Sequence, residues 1–188
     1  YIDLTLNMMK EFGHQVERTL DFKQIIINPF ESKLEGDREI TIEGDWSHGA
    51  LLLVIGALTG GICLSGLKIN SVQADRKIRE VLTMVGVNVI EENDCLSVNE
   101  TKEFNPFVYD ATDCPDLFPA AVAYAASTIG HSVIKGVHRL RNKESDRAAA
   151  LQTEYAKLGI EIDLFDNEMH ITGSSIIQSA TVDAHGDH

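Results

Sequence analysis

Two series of landmarks recur along this chain at nearly one period, and that repeat constrains its fold more than any other feature. Gly13, Gly86 and Gly159 each follow an amphipathic helical segment and stand 73 residues apart (86 − 13 and 159 − 86). Glycine just past a helix end is the usual left-handed cap. Two short strand-like runs follow each of them, as in IEIDLFDNEMHITG after Leu158. Asp45, Asp116 and Asp187 form the second series, 71 residues apart (116 − 45 and 187 − 116), and each closes an extended stretch: REITIEGD, FVYDATDCPD and QSATVDAHGD. Apolar helical runs follow the first two, WSHGALLLVIGALTG and LFPAAVAYAASTIG. Strands are expected near ICLSGL and SVIKGV, each followed by a second helix. The unit therefore reads strand–helix–strand–helix–strand–strand over about 70 residues, far longer than a short solenoid repeat.

Two units are complete, roughly 42–105 and 106–175. Residues 1–41 read as the back part of a preceding unit, and 176–188 as the front of a following one, so the repeat predicts further sequence beyond both ends. The stretch 28–38 (NPFESKLEGD plus Arg38) is the expected linker, because it holds Pro29 and Gly36 and has no apolar periodicity.

Several function classes are disfavoured by composition. The formal net charge of −13 argues against nucleic acid, which wants a broad basic face. The longest apolar run, Ala50–Leu58, is far short of the ~18 residues of a membrane span, so no membrane partner is expected. The N-terminus lacks the basic region and apolar core of a signal peptide. Cys63, Cys95 and Cys114 are odd in number and widely spaced. They suggest neither a disulfide framework nor a zinc site, and a reducing cytoplasm is the expected setting. HGDH at 185–188 matches no strong metal signature, and neither a Walker pattern nor GxGxxG is present.

Against this acidic background, RLRNKESDR (139–147) is a local positive island. It holds Arg139, Arg141, Lys143 and Arg147 beside Glu144 and Asp146. The apolar spacing that follows predicts that the stretch opens a helix. A helix start already carries partial positive charge, so gathering cations there makes sense if an anion sits among them. On such a helix Lys143, Glu144 and Arg147 would fall within ~100° of one another, and one patch could hold an anion and move a proton. Arg76 is the counterpart of Arg147 one unit back (147 − 76 = 71), but its surroundings, KINSVQAD, are far less basic. The cation cluster is thus built into one unit only, as a site on a repeat scaffold should be. Asp116 has two readings, an N-cap like Asp45 or a catalytic carboxylate in a cleft that collects the repeat aspartates.

These motifs resemble the 3-phosphoshikimate 1-carboxyvinyltransferase (EPSP synthase) family along essentially the whole chain. The resemblance rests on RLRNKESDR with its following helix, and on YIDLTLNMMKEFG, EGDWSHGALLLVIGALTGG, NSVQADRKIREVLTMVG, DCPDLFPAAVAYAA and DAHGDH. It implies an α/β (α+β) fold, an inside-out α/β barrel of βαβαββ repeats with the active site between two domains. Residues 1–41 would be the tail of the first domain, and 42–188 most of the second. The implied reaction moves the enolpyruvyl group of phosphoenolpyruvate onto the 5-hydroxyl of shikimate 3-phosphate, through a tetrahedral intermediate and without cofactor or metal. In this family pattern Asp116, Glu144 and Lys143 are catalytic. Tyr1, Asp116, Arg139, Lys143, Arg147 and His188 contact substrate. Arg139 stands where some members carry an Asn.

The family's further phosphoenolpyruvate contacts and first-domain contacts lie outside these 188 residues. Little or no turnover is therefore expected of the chain alone, and the full enzyme is expected to be monomeric. The rivals are enolpyruvyl transfer to a UDP-sugar, disfavoured by the KESDR core, and a non-catalytic repeat module presenting a face to a protein partner.

Overall fold

The computed structural model describes residues 1–29, 37, 39–141 and 143–187. Helix α1 (Ile2–Glu11) leads into a two-stranded antiparallel ribbon, β1 (Val16–Arg18) with β2 (Ile25–Ile27). The first complete unit contributes α2 (Trp46–Thr59), β3 (Ile62–Ser65), a 3-10 turn running into α3 (Ile78–Met84), β4 (Val89–Glu92) and β5 (Cys95–Val98). In the second lie β6 (Val108–Asp110), a 3-10 turn at Pro115–Leu117 with α4 (Phe118–Ala126), β7 (Gly130–Lys135), α5 (Arg147–Lys157), β8 (Glu161–Phe165) and β9 (Glu168–Gly173).

The expected unit appears in full between 106 and 175. Its sheet runs β6-β7-β9-β8, with β6 parallel to β7 and the other pairs antiparallel. The parallel pair demands a crossover, and α4 supplies it. The repeat glycines behave as the pattern requires. Gly13, Gly86 and Gly159 follow α1, α3 and α5 with φ of +85°, +91° and +81°, a conformation that costs a residue without Cβ little.

Three expectations are corrected. The leading strand of the unit 42–105 does not form among the described residues, and its sheet has only the order β3-β5-β4. The segment before α2 approaches the end of β3 through one backbone bond, Gly44 N–H to Gly66 O at 2.8 Å, too little pairing to make a ladder. Second, Cys63 and Cys95 are joined as a disulfide, and only Cys114 is free and buried. The antiparallel register of β3 and β5 pairs Cys63 with Ser97 and Ser65 with Cys95. That makes the two cysteines diagonal neighbours on one face, 6.0 Å apart at Cα, an adjacency that a separation of 32 residues conceals. Third, RLRNKESDR does not open a helix at its start. The helix begins only at Arg147, because the Asp146 carboxylate caps it by accepting from Ala149 N–H at 3.2 Å. Of the expected linker 28–38, only Asn28, Pro29 and Asp37 lie within the described residues, outside any helix or strand.

The core is built on α2 and α4. Both are apolar nearly all round; α4 is buried on almost every side, while α2 leaves Leu51, Leu52 and Ile55 exposed on one face. They pack on one another, and each also packs on its own unit's sheet, α2 on β3 and β5, α4 on β7 and β9. α4 thus lies inside, and α2 joins it there through its buried face. Trp46, Leu53, Phe118, Tyr124, Ile134 and Met169 are among the side chains fully buried there. Among the described residues, no helix is long and apolar enough to cross a membrane.

One tight approach yields a prediction. Gly173 ends β9 directly under the C-terminal turn of α4, and a Cβ there would run into the carbonyl oxygens of Ala125 and Thr128. These are backbone atoms and cannot swing aside. Gly173→Ala is expected to lower stability by about 1–3 kcal/mol, as overpacking does, seen as a lower urea midpoint. An unchanged midpoint would mean that β9 and α4 stand further apart than this.

Candidate active site

The loop that Asp146 keeps outside α5 is what arranges the cation cluster. Lys143 and Glu144 sit in the bends before the helix, and Arg147 is its first residue. Lys143 and Arg147 meet at a carboxylate from the other repeat landmark series, and Glu144 joins them through Arg147. Asp116 lies in the 3-10 turn that opens α4, and its side chain caps nothing. Its Oδ1 accepts instead from Arg147 Nη1 at 2.6 Å and from Lys143 Nζ at 2.9 Å, and its Oδ2 accepts from the Tyr1 hydroxyl at 3.2 Å. The capping role does hold for Asp45, which accepts from Ser47 N–H at 2.9 Å and also pairs with His48. One landmark position thus caps a helix in the first unit and binds cations in the second.

These residues line a cavity of about 1010 Å³. Asp45, Asp116 and Asp187 all face it, so a single cleft does collect the repeat aspartates. The local positive charge of the sequence does not survive into three dimensions. Glu43, Glu144, Glu154 and Asp183 line the same cavity with those aspartates, against the cations Lys143 and Arg147. Leu51, Leu151, Leu158 and Val182 add apolar lining.

Arg147 is the most heavily engaged group. Its Nε and Nη2 form a bidentate fork on Asp187, at 2.7 Å to Oδ2 and 2.9 Å to Oδ1. Its Nη1 reaches Asp116, and its Nη2 also reaches Glu144 Oε2 at 3.1 Å. The back edge of the guanidinium is therefore held by Asp187, while the end-on edge points at Asp116 and Glu144. Among the described residues Arg76, the counterpart one unit back, donates to the backbone oxygen of Ile69 at 3.1 Å, which is a structural task.

The protonation behaviour follows from these contacts. Burial works to raise the Asp116 carboxyl, but the hydrogen bonds and charges of Lys143 and Arg147 outweigh it and hold it below the usual range. The hydrogen bonds and charge of Asp187 raise Arg147, against partial burial. Desolvation of the Tyr1 hydroxyl, then the Asp116 and Asp75 charges, push its pKa up to about 12, so it stays a donor. Burial, aided by the Asp116 and Asp45 charges, raises Asp75, which accepts from the Ser47 hydroxyl at 2.8 Å behind the cavity wall.

Tyr1, Asp116, Lys143, Glu144 and Arg147 are thus brought together. Arg139 is exposed in a 3-10 turn and is not among the residues lining the cavity. His188 lies outside the described residues. Ser145, whose hydroxyl donates to Asp187 Oδ2 at 3.0 Å, was not singled out from sequence. The 71-residue period does mark Asp187, as a candidate cap and as one of the aspartates a cleft could collect, but not as the partner of Arg147. Among the described residues, no group of three or more His, Cys, Asp or Glu side chains could hold a metal ion.

The family model for EPSP synthase (3-phosphoshikimate 1-carboxyvinyltransferase) matches residues 1–188. The 3-phosphoshikimate 1-carboxyvinyltransferase of Clostridium kluyveri is 36% identical over 188 residues, covering 100% of this chain and 43% of that protein. The Pyrococcus furiosus protein of the same name is 35% identical over 173 residues, covering 92% of this chain and 42% of its own length. The chain therefore spans less than half the length of the curated relatives it matches. Among solved structures, EPSP synthase from Acinetobacter baumannii superposes with a TM-score of 0.74 at 24% identity, over 93% of this chain and 41% of that one. An enolpyruvyl transferase from Streptomyces tendae shares the fold at a TM-score of 0.65 and 17% identity, over 89% of this chain and 39% of its own. With a family match running from the first residue to the last, the chain belongs to the EPSP synthase family.

Proposed function

We propose that the protein transfers the enolpyruvyl group of phosphoenolpyruvate to the 5-hydroxyl of shikimate 3-phosphate and releases phosphate, a step on the route to chorismate and the aromatic amino acids. The observation that carries this reading is the Asp116 carboxylate, gripped by both Lys143 and Arg147 in a cavity on a chain of this family. The addition takes a proton from the 5-hydroxyl as its oxygen bonds to C2 of phosphoenolpyruvate and delivers one to the methylene carbon. The elimination takes a proton from the resulting methyl group and delivers one to the leaving phosphate as the C2–O bond to it breaks. Asp116, held ionised, accepts the hydroxyl proton. Lys143 lies against the same oxygen of Asp116 and steadies the developing alkoxide, while Glu144 supplies the second acid–base group.

Both substrates are anions, and the end-on edge of Arg147 is the natural seat for the phosphoenolpyruvate carboxylate, displacing Asp116 and Glu144 from it. Tyr1, as a phenol, donates to shikimate 3-phosphate. Arg139 and His188 complete the proposed substrate contacts. The division into the tail of one domain (1–41) and most of a second (42–188) belongs to the same proposal. It is supported by the separation of the β1–β2 ribbon from the two larger sheets. So does a cytoplasmic, monomeric enzyme, which suits small soluble substrates.

The test is phosphate release by the full-length protein with phosphoenolpyruvate plus either shikimate 3-phosphate or UDP-N-acetylglucosamine. Release is expected with shikimate 3-phosphate only, and Lys143→Ala should lower kcat/KM by about 10²–10³-fold, as loss of one preorganised donor does. Release with the UDP-sugar would move the reading to the other acceptor. Silence with both would leave a repeat scaffold presenting its surface to a partner.

A further inference from the structure

We infer that Glu154 is a positioning residue for Arg147, acting through the strap of residues 183–187. Glu154 lies on α5 seven residues after Arg147, close to two helical turns, and so on nearly the same face. It is a buried carboxylate with both oxygens engaged. Oε2 accepts from the backbone N–H of Asp183 at 2.8 Å, and Oε1 contacts His185 Nε2 at 2.8 Å. Lys157 Nζ bonds both oxygens, at 2.8 and 2.7 Å. Its hydrogen bonds with Lys157, Asp183 and His185 hold its carboxyl down at about 2, so it remains an acceptor across the working range of any enzyme.

The strap has no helix or strand of its own to hold it. It turns back through Asp183, whose carboxylate accepts from His185 N–H at 2.7 Å, and through the bond from Asp187 N–H to Ala184 O at 3.0 Å. These are internal bonds. They shape the strap but do not fix where it lies. Glu154 ties it to α5 at two points, Asp183 and His185, and two residues later Asp187 closes on Arg147. Helix and strap therefore form a closed loop with Glu154 at one end and the Arg147–Asp187 fork at the other. Releasing the Glu154 end lets the strap shift and pull Asp187, which the Ser145 hydroxyl also holds, off the back edge of the guanidinium, and the end-on edge then loses its aim into the cavity. Only the identity of the anion that Arg147 receives rests on the function proposed above.

The test reads the Arg147 Nε–H directly by ¹⁵N NMR of the chain, assigned by its loss in Arg147→Lys. A charge-assisted bond to a half-buried carboxylate gives a displaced, slowly exchanging signal. Asp187→Ala is the reference for the unclamped state. Glu154→Ala is expected to move the signal towards that reference. Glu154→Gln, whose side-chain oxygen can still accept from Asp183 N–H, should keep most of the wild-type position. His185→Ala, which changes the strap and leaves the helix intact, should shift it in the same direction as Glu154→Ala. A folded Glu154→Ala with the wild-type signal overturns the inference. If that variant does not fold, an unmoved signal in His185→Ala does so. In the full-length protein, Glu154→Ala should raise KM for phosphoenolpyruvate by about 10–100-fold, the cost of misplacing a binding group, with kcat changed far less. Absence of turnover in the wild type would refute the proposed reaction and leave the NMR result to decide the role of Glu154.

Discussion

Asp116→Asn in the full-length protein is expected to lower kcat for phosphate release by about 10²–10⁴-fold, the usual worth of a positioned general base. The substitution keeps size and hydrogen-bonding shape but removes the charge that Lys143 and Arg147 share at 2.9 and 2.6 Å. An amide cannot accept the hydroxyl proton, and both cations lose their common partner. KM for the anionic substrates should change less than kcat, because a neutral residue frees cation capacity for them. Asp116 also sets a pH expectation. Its folded pKa lies below the ordinary 3.8, so the stability it contributes is fully present above that value and is lost as pH falls through the lower, folded one. Wild type and Asp116→Asn should therefore respond alike to pH above 5 and differ only in acid. A kcat within a few-fold of wild type would remove Asp116 from proton transfer and leave it as a holder of cations.

Trp46→Ala should cost about 3–5 kcal/mol, the range for emptying a large aromatic site. Trp46 is fully buried at the start of α2. Its indole N–H donates to Lys68 O at 3.1 Å, and its backbone N–H donates to Gln73 Oε1 at 2.9 Å. Gln73 in turn donates from Nε2 to Gly44 O at 3.0 Å. The ring therefore packs the core and sits within the brace that holds Asp45, Ser47 and His48 at the cavity. Since ~5–15 kcal/mol is the whole stability of a typical domain, the alanine variant should stand close to unfolding at 37 °C. Trp46→Phe keeps most of the volume and loses the bond to Lys68, so about 1–3 kcal/mol is expected. Urea titration followed by far-UV circular dichroism would measure both. A cost under about 1 kcal/mol for alanine would mean that the site collapses around the void.

Much of this was legible in the residues themselves because a repeat is a statement about local structure. A helix ending in a residue with positive φ asks for glycine, and three glycines at one spacing announce three such endings. The apolar runs after Asp45 and Asp116 carry no polar face, which called for burial; α4 is buried almost throughout, and α2 on all but the face of Leu51, Leu52 and Ile55. The positions of Lys143, Glu144 and Arg147 could be named as a cluster from charge pattern and family likeness. Their arrangement could not. A helical wheel brings them together by the wrong route, because Asp146 competes for the cap and leaves Lys143 and Glu144 in a loop.

Periodicity, capping chemistry and burial of apolar runs are properties of neighbours along the chain, and these the sequence by itself determined: the βαβαββ order of the second unit, the glycine punctuation and the two apolar helices on which the core is built. Everything that depends on distant segments meeting was decided by tertiary structure alone. The register of β3 on β5 makes neighbours of Cys63 and Cys95. The docking of α4 beside the 139–147 loop turns Asp116 from a cap into a cation ligand, where Asp45 at the same repeat position remains a cap. The strap brings Asp187 onto Arg147 and converts a positive island into a cavity in which every described cation is met by a carboxylate. Charge along a chain adds by position in sequence, but charge in a site adds by distance in space, and only the fold sets those distances.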